Sequence, residues 1–341
     1  MKSSVFIFCI LGVLCTGCTN KGVKINDMQT TFHEFPFVDS LKFSPLSDSL
    51  LDEPARILIK GDNLIIQTFC QSRKAYVVVF SLKENRIINE TIKRGEGPDE
   101  MLSCELDLKG DGLWLYDMSK MKIGFARIDS FLSNTPTIVW HKLERSYYRI
   151  AMLNDSVMLG TNDFSRNFKI HFVNLRTGKV TGVGEYTNRN DKTNLSSLID
   201  AYSCYVNVNP KSKDILLSYR YTDVMEIYDS RGNIKHVLQG PDCFDVAFRP
   251  KQNGMGKTKE TRKAFVTSYV TADNIYLLYS GSRRTDKNWS YGSEIFVFSW
   301  DGKPLKKYIL PEPVYTFAVD ENKNKIYSYS LETEELLEAM I

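Results

Sequence analysis

Read as apolar and polar positions, the chain is a succession of short apolar runs broken by small polar turns. The first clear phrase is Arg56-Ile-Leu-Ile-Lys60, a turn at Gly61-Asp62-Asn63, then Leu64-Ile-Ile-Gln-Thr68. After Gln71 to Lys74 comes a third run, Ala75 to Phe80, and Lys83-Glu-Asn85 leads into a fourth, Arg86 to Ile92. Gly, Asn and Asp tolerate positive φ, so such turns between β-branched runs predict antiparallel hairpins. The phrase returns at Gly110-Asp111-Gly112, Asn154-Asp155-Ser156, Lys213-Asp214, Ala272-Asp273-Asn274 and Asn322-Lys-Asn324, each before an apolar run. Third runs rhyme as well: Lys169 to Val173, Met225 to Tyr228 and Ile295 to Phe298, each followed by a Gly-containing turn.

Six copies at this spacing predict an all-β, six-bladed β-propeller of four-stranded antiparallel blades. One blade cannot bury both faces, so neighbouring sheets must lean together around an axis. Two separate β-sandwiches would show the same alternation, but no Pro-, Gly- or Ser-rich linker divides the chain. A ring also needs closing, since an open one leaves edges unpaired. The strand-like segment Thr31 to Phe43 is expected to add the outermost strand to the last blade. The tail from Glu332 to Ile341 fits either a short amphipathic helix or that blade's remaining strand.

Composition narrows the class. Ten Ala residues stand against 18 Tyr and 19 Phe, so the best helix former is scarce and strand formers are plentiful. Hydrophobic residues at 43% and charged residues at 25% are globular values over these 341 positions. A formal charge of +3 leaves no net field for gathering nucleic acid, and no such partner is expected.

The chain opens with Met1-Lys2, an apolar run from Val5 to Leu14, and Cys15-Thr16-Gly17-Cys18. That is a secretory signal, too short for the roughly 20 apolar residues of a membrane span. Leu-x-Thr-Gly-Cys resembles the bacterial lipoprotein signal, with Cys15 standing where that family usually has Leu. The resemblance implies lipidation at Cys18, a membrane partner through the acyl chains, and the boundaries 1–17 signal peptide, 18–30 lipidated tether and 31–341 propeller. The residues after Cys18 lack an Asp and an acidic run, which favours the outer membrane facing the periplasm; a surface-facing anchor stays open. Simple secretion, with Cys18 an ordinary thiol, is the alternative. Four cysteines then remain, Cys70, Cys104, Cys204 and Cys243; buried thiols are favoured, with one or two disulfides open.

Lys93-Arg94-Gly95-Glu96-Gly97-Pro98-Asp99-Glu100 follows the first blade's last strand. This G-x-G-P-[DG]-E phrase, with echoes at Gly182-Val-Gly184-Glu185 and Gly240-Pro241-Asp242, resembles the TolB-like six-bladed propeller lipoproteins of Bacteroidetes and the broader NHL-like group. The resemblance implies a fold and a cell-envelope address more than a reaction. With two carboxylates and no following Lys-Ser/Thr, the phrase reads as a blade-crossing turn, not a phosphate cradle.

Propeller topology puts turns one-to-two and three-to-four on one face, and loops two-to-three and blade-to-blade on the other. The first set is short; the second includes 94–100, 132–148, 161–167, 186–202, 219–222, 240–263 and 281–292. Long loops on a rigid scaffold are where binding residues concentrate, so that face is expected to be functional. Its candidate ligand-binding residues are Arg73, Arg94, Arg166, Arg220, Tyr221, Arg283, Arg284, Trp289 and Tyr291. Converging guanidiniums would favour a carboxylate-bearing sugar or a peptide C-terminus, and the rings would stack on a sugar. Equally, Arg stems at these turns would pack on the next blade. The cationic run Arg249 to Lys263 reads as a solvated mobile loop.

Catalytic signatures are missing from the pattern. His33, His141, His171 and His236 stand singly, with His171 reading as a satisfied blade histidine, and no metal ligands are expected. A calcium ion at the axis would need oxygen ligands from several blades; Glu105, Asn207 and Asp245 have that chemistry, and no motif selects them. The sequence therefore points to a non-catalytic binding or scaffold module for a glycan, peptide or envelope protein. A lactonase-like metal-dependent hydrolase or lyase at the axial channel is the alternative, and a sensor subunit signalling to a membrane partner is a third.

Overall fold

The structure, a computed structural model, describes residues 29–47, 54–69, 73–133, 136–186 and 193–341. The leader, Cys18, most of the tether and Cys70 lie outside the described residues.

Six antiparallel sheets form the blades, each with its first strand innermost. Those inner strands are Pro54–Lys60, Glu105–Lys109, Arg149–Met152, Cys204–Val208, Phe265–Val270 and Phe317–Asp320. The hairpins between first and second strands fall at the predicted markers, with Gly61 at φ 60° and Gly110 at φ 59° where the turn demands a left-handed residue. Among the described residues, six apolar clusters each occupy one seam of the ring. Leu58 and Val77 meet Leu106 and Leu115 between blades one and two, and Trp114 and Tyr116 meet Ile150 and Met158 between two and three. Further seams join blades three to four, four to five and five to six. The ring closes where Ile57, Leu64 and Phe80 of blade one pack on Ala318, Tyr327 and Leu336 of blade six. Each such side chain, once fully buried, contributes ~1.5–3 kcal/mol, so the seams carry the architecture.

The N-terminal segment does more than one strand's work. The closing strand of blade six is Ser44–Ser47, antiparallel to Leu336–Met340. It begins one residue past the segment expected to supply it. Within that segment and just before it, Gln29–Thr31 pairs in parallel with blade four and Phe37–Ser40 with blade five. Blades four and five thus have five strands. The anchor is aromatic: Phe35 is buried against Phe296 and Phe298, with Phe32 edge-on to Phe35 and Phe298. The first described strand, Gln29–Thr31, overlaps the end of the segment read as tether, and the C-terminal tail takes the strand option.

Two further expectations change. Leu132 and Ser133 do not belong to the long-loop face: the short helix α1 (Ile128–Leu132) follows the third strand of blade two and precedes its fourth, which places them among the turns. Only the part after Val139–Lys142 crosses to the next blade. The run from Arg249 to Lys263 leaves Arg249, Lys251, Lys257 and Lys259 exposed, as expected, but is not a plain loop. It holds a hairpin, Phe248–Pro250 with Met255–Lys257, which packs on α2 (Leu195–Ala201). Ser197 Oγ donates to Gly254 O at 2.7 Å and Met255 N–H donates to Asp200 at 2.9 Å, which ties the hairpin's turn to the helix.

Candidate functional site

The first strand of each blade starts on the long-loop face, so the opening residues of those strands ring one mouth of the axial channel. The channel is narrow, about 110 Å³; the inner strands of blades one to five line it, and blade six contributes Tyr315, two residues before its inner strand. Its middle is charge-balanced: Arg56 pairs with Asp107, and Ser268 Oγ donates to Asn207. The mouth is different.

Arg149 opens the inner strand of blade three, and Lys263 directly precedes the inner strand region of blade five. Arg220 ends the second strand of blade four. Its N–H donates to Ser203 O at 3.0 Å and its carbonyl accepts from Ala264 N–H at 2.8 Å, so it is held between the inner strands of blades four and five. Tyrosine rings separate these cations. Arg149 Cζ lies 4.3 Å and Arg220 Cζ 5.1 Å from the centroid of Tyr148. Around Tyr221, itself buried, stand Arg220 Cζ at 5.2 Å, Lys257 Nζ at 5.4 Å and Lys263 Nζ at 5.5 Å. Trp289 stacks on Tyr221 at 6.2 Å and 15°. Such contacts each offset roughly 0.5–2 kcal/mol of a cation's desolvation, well short of a counter-ion.

Carboxylates are scarce here. Glu105 approaches Arg149 at 3.8 Å, and it is the acid that the described ion pairs give to these three cations. Lys263 is 6% exposed and has no described hydrogen bond from its ammonium. Burial, then the nearby Arg220, Arg149 and Lys257, pull its amine well below the ordinary lysine value. Arg220 Nε and Trp289 Nε1 are buried donors without an acceptor among the described residues. Burial pushes the Tyr205 phenol up to about 12 and raises that of Tyr315, so both stay protonated and can donate. Buried donors without acceptors cost free energy unless something accepts from them. The arrangement suits an anion with a ring beside it.

The sequence-predicted residues separate into two groups. Arg220, Tyr221 and Trp289 share the mouth, and Tyr291 stands edge-on to Tyr315 at its rim. The others are engaged in the scaffold. Arg73 pairs with Glu90 of its own blade. Arg94 donates to Thr68 O and Arg73 O while lying 3.7 Å over Tyr76. Arg166 lies near Tyr147 and His171 in blade three. Arg283 pairs with Glu260 at 3.4 Å, and Arg284 donates to Lys257 O. Sequence reasoning does not single out Arg149, Tyr148 and Tyr205, and it places Lys263 only at the end of the cationic run. Their signal was a cation or tyrosine placed directly at the start of an apolar first run.

Other candidates sit as follows. The Gly95–Glu100 phrase is a blade crossing: Gly97 N–H donates to Glu100 Oε2 at 3.0 Å, and Lys120 and Lys122 of blade two donate to its carbonyls. Gly95, at φ 151°, has no room for a Cβ beside Glu100. His171 is wholly buried between Tyr147 and Phe168. Glu105 and Asn207 line the channel, whereas Asp245 accepts from Tyr202 outside it. Among the described residues no group of three or more His, Cys, Asp or Glu is placed to share a metal ion. Cys104, Cys204 and Cys243 are free thiols.

A closed ring of six sheets, with cations and tyrosines at one mouth of its channel, defines a six-bladed propeller. The chain belongs to the family described as TolB-like 6-blade propeller-like, whose model matches residues 31–322. Two solved structures share the fold. One is a DUF4221 family member from Bacteroides vulgatus, 12% identical, with a TM-score of 0.57, covering 89% of this chain and 96% of that one. The other is a Bacteroides fragilis protein inferred to be exported, also 12% identical with a TM-score of 0.57, covering 92% and 98%. No curated protein matches the chain.

Proposed function

We propose that this protein is an exported, lipid-anchored propeller that works as a non-catalytic binding module, taking an acidic group of a glycan, peptide or envelope protein at the mouth of its axial channel. One observation carries the reading: Arg149, Arg220 and Lys263 converge there with a single carboxylate, Glu105, among their ion pairs. Buried charges left uncompensated in a folded chain are kept for something that compensates them. The leader ending at Cys18 and the likeness to an exported Bacteroides fragilis protein support export; the small residues before Cys18 support the lipid anchor.

Two measurements test this. Calorimetry of the mature chain with oligogalacturonate and with a neutral oligosaccharide of equal length should show binding of the acidic one alone. Arg220→Met should weaken it by about 30-fold or more, the usual cost of removing one partner of a buried charge pair. Equal affinity for both oligosaccharides would sink the anion reading. For the anchor, Cys18→Ala should move the protein from the membrane to the soluble fraction.

A further inference from the structure

We infer that the mouth is built for a doubly charged group at one end of its ligand, of the phosphate-monoester kind, in preference to a single carboxylate. This deepens the proposed function and rests on it.

The argument is one of charge and enclosure. Arg220 lies between two rings, with Arg149 across Tyr148 and Lys263 beside Tyr221. Glu105 offsets Arg149. That leaves Arg220 and Lys263 as two cation positions, with no carboxylate described against either. A guanidinium cannot lose its proton in a protein, so the empty site sheds charge where it can, at the Lys263 amine. A monoanion would be matched by Arg220 alone. A dianion matches both positions and favours the protonated form of Lys263. A phosphate also offers three acceptor oxygens, which suits a site where Arg220 Nε is buried without an acceptor. The other charged or titratable groups around Lys263 and Arg220 are Arg149, Lys257, the Cys204 thiol and the phenols of Tyr148, Tyr205, Tyr221 and Tyr315, and none of them is a carboxylate. Binding of a dianion is therefore coupled to proton uptake, and its affinity falls as pH rises toward the ordinary lysine value.

Phenyl phosphate and phenyl sulfate separate the alternatives, because they share ring and tetrahedral shape but differ by one charge. The test is calorimetry of the mature chain at about pH 7.5, where the phosphate is a dianion, in two buffers of different ionisation heat. We expect phenyl phosphate to bind about ten-fold or more tighter, as one extra charge contact in a partly buried site allows, and to take up protons as it binds. Lys263→Met should erase both the preference and the uptake. Lys263→Arg, which keeps the charge and cannot titrate, should keep the preference and lose the uptake. Equal binding of the two probes overturns this inference and leaves the anion site standing. A preference that survives Lys263→Met also overturns it. If neither probe nor oligogalacturonate binds, the mouth is not an anion site and both readings fall.

Discussion

Lys169 and Lys263 are both largely buried lysines, and the ring treats them in opposite ways. At the seam between blades three and four, Lys169 Nζ meets Glu226 Oε1 at 2.6 Å, and the other carboxylate oxygen accepts from Tyr219 and Tyr228. Glu226 is completely buried and its oxygens are occupied. At the axial mouth, Lys263 has rings and other cations around it. The first arrangement is self-sufficient and needs nothing from outside. The second leaves Lys263 without a described carboxylate, and the proposed anion site rests on that contrast.

The largest effect should come from breaking the self-sufficient pair. Glu226→Ala strands the Lys169 ammonium and two phenols in a closed seam, and removing one partner of a buried pair costs about 3–5 kcal/mol. Urea unfolding should show that loss with binding at the mouth unchanged in the surviving folded fraction. A loss under about 1 kcal/mol would mean that the seam admits water, since only exposed pairs are that weak, and the contrast with Lys263 would disappear.

Asp223 is an intermediate case, a buried carboxylate with hydrogen bonds and no described counter-ion. It accepts from the backbone N–H groups of Cys243 at 2.6 Å and Phe244 at 3.1 Å. Burial outweighs those bonds and pushes its pKa from 3.8 to about 6. The folded chain therefore holds an extra proton between those values, so this group's contribution to stability is greatest below about pH 4 and declines as pH rises to about 6. A shift of that size corresponds to at most about 3 kcal/mol. Asp223→Asn keeps an acceptor and removes the charge, so its advantage over the parent should grow across that interval in urea midpoints taken from acid to neutral pH. A constant difference would show that Asp223 keeps an ordinary pKa.

Lys263→Met should stabilise the unliganded chain modestly, by about 1–2 kcal/mol, because an apolar stem of similar length replaces a buried amine that has no described carboxylate. The pH dependence has the opposite sign to that of Asp223. With its folded pKa lowered, Lys263 binds fewer protons folded than unfolded, so the parent gains stability as pH climbs toward the lysine value of about 10.4 and the Met variant does not. Destabilisation by Lys263→Met would reveal a partner for the ammonium and remove the reason to expect a ligand.

The two kinds of region were not equally legible in the sequence. The blades announced themselves, because a hairpin needs a left-handed turn residue and strands need alternation, both local demands that Gly61-Asp62 and Gly110-Asp111 satisfy in order. Convergence on an axis is not local. Arg73, Arg166 and Arg220 follow second strands alike, but only Arg220 is clamped between two inner strands, while Arg73 finds Glu90 on an outer strand. Radial position, which decides who reaches the mouth, depends on which strand of the blade is innermost. Knowing that first strands are innermost would have directed attention to Arg149 and Lys263. The parallel strands at Gln29–Thr31 and Phe37–Ser40 were harder still, since both are exposed or half-buried and held by the aromatic plug between them.

The smallest expected effect lies on the face opposite the mouth, and it sharpens the comparison by contrast. There the marker aspartates of the repeated hairpins receive lysines from the preceding blade: Lys323 reaches Asp62 at 2.8 Å, Lys60 reaches Asp111 at 3.1 Å and Lys109 reaches Asp155 at 2.8 Å. Every one of these cations has its carboxylate, so nothing on that rim calls for a ligand. The aspartates are well exposed, with Asp111 at 88% and Asp155 at 90% of the side chain, and water and salt already do most of what the lysines do. Lys60→Met and Lys109→Met should therefore leave the unfolding midpoint within the scatter of replicate curves and leave phenyl phosphate affinity untouched. If either substitution weakened binding as Arg220→Met does, charge would be acting through the whole ring and not through the mouth, and the distinction between a partnered and an unpartnered lysine would no longer locate the site.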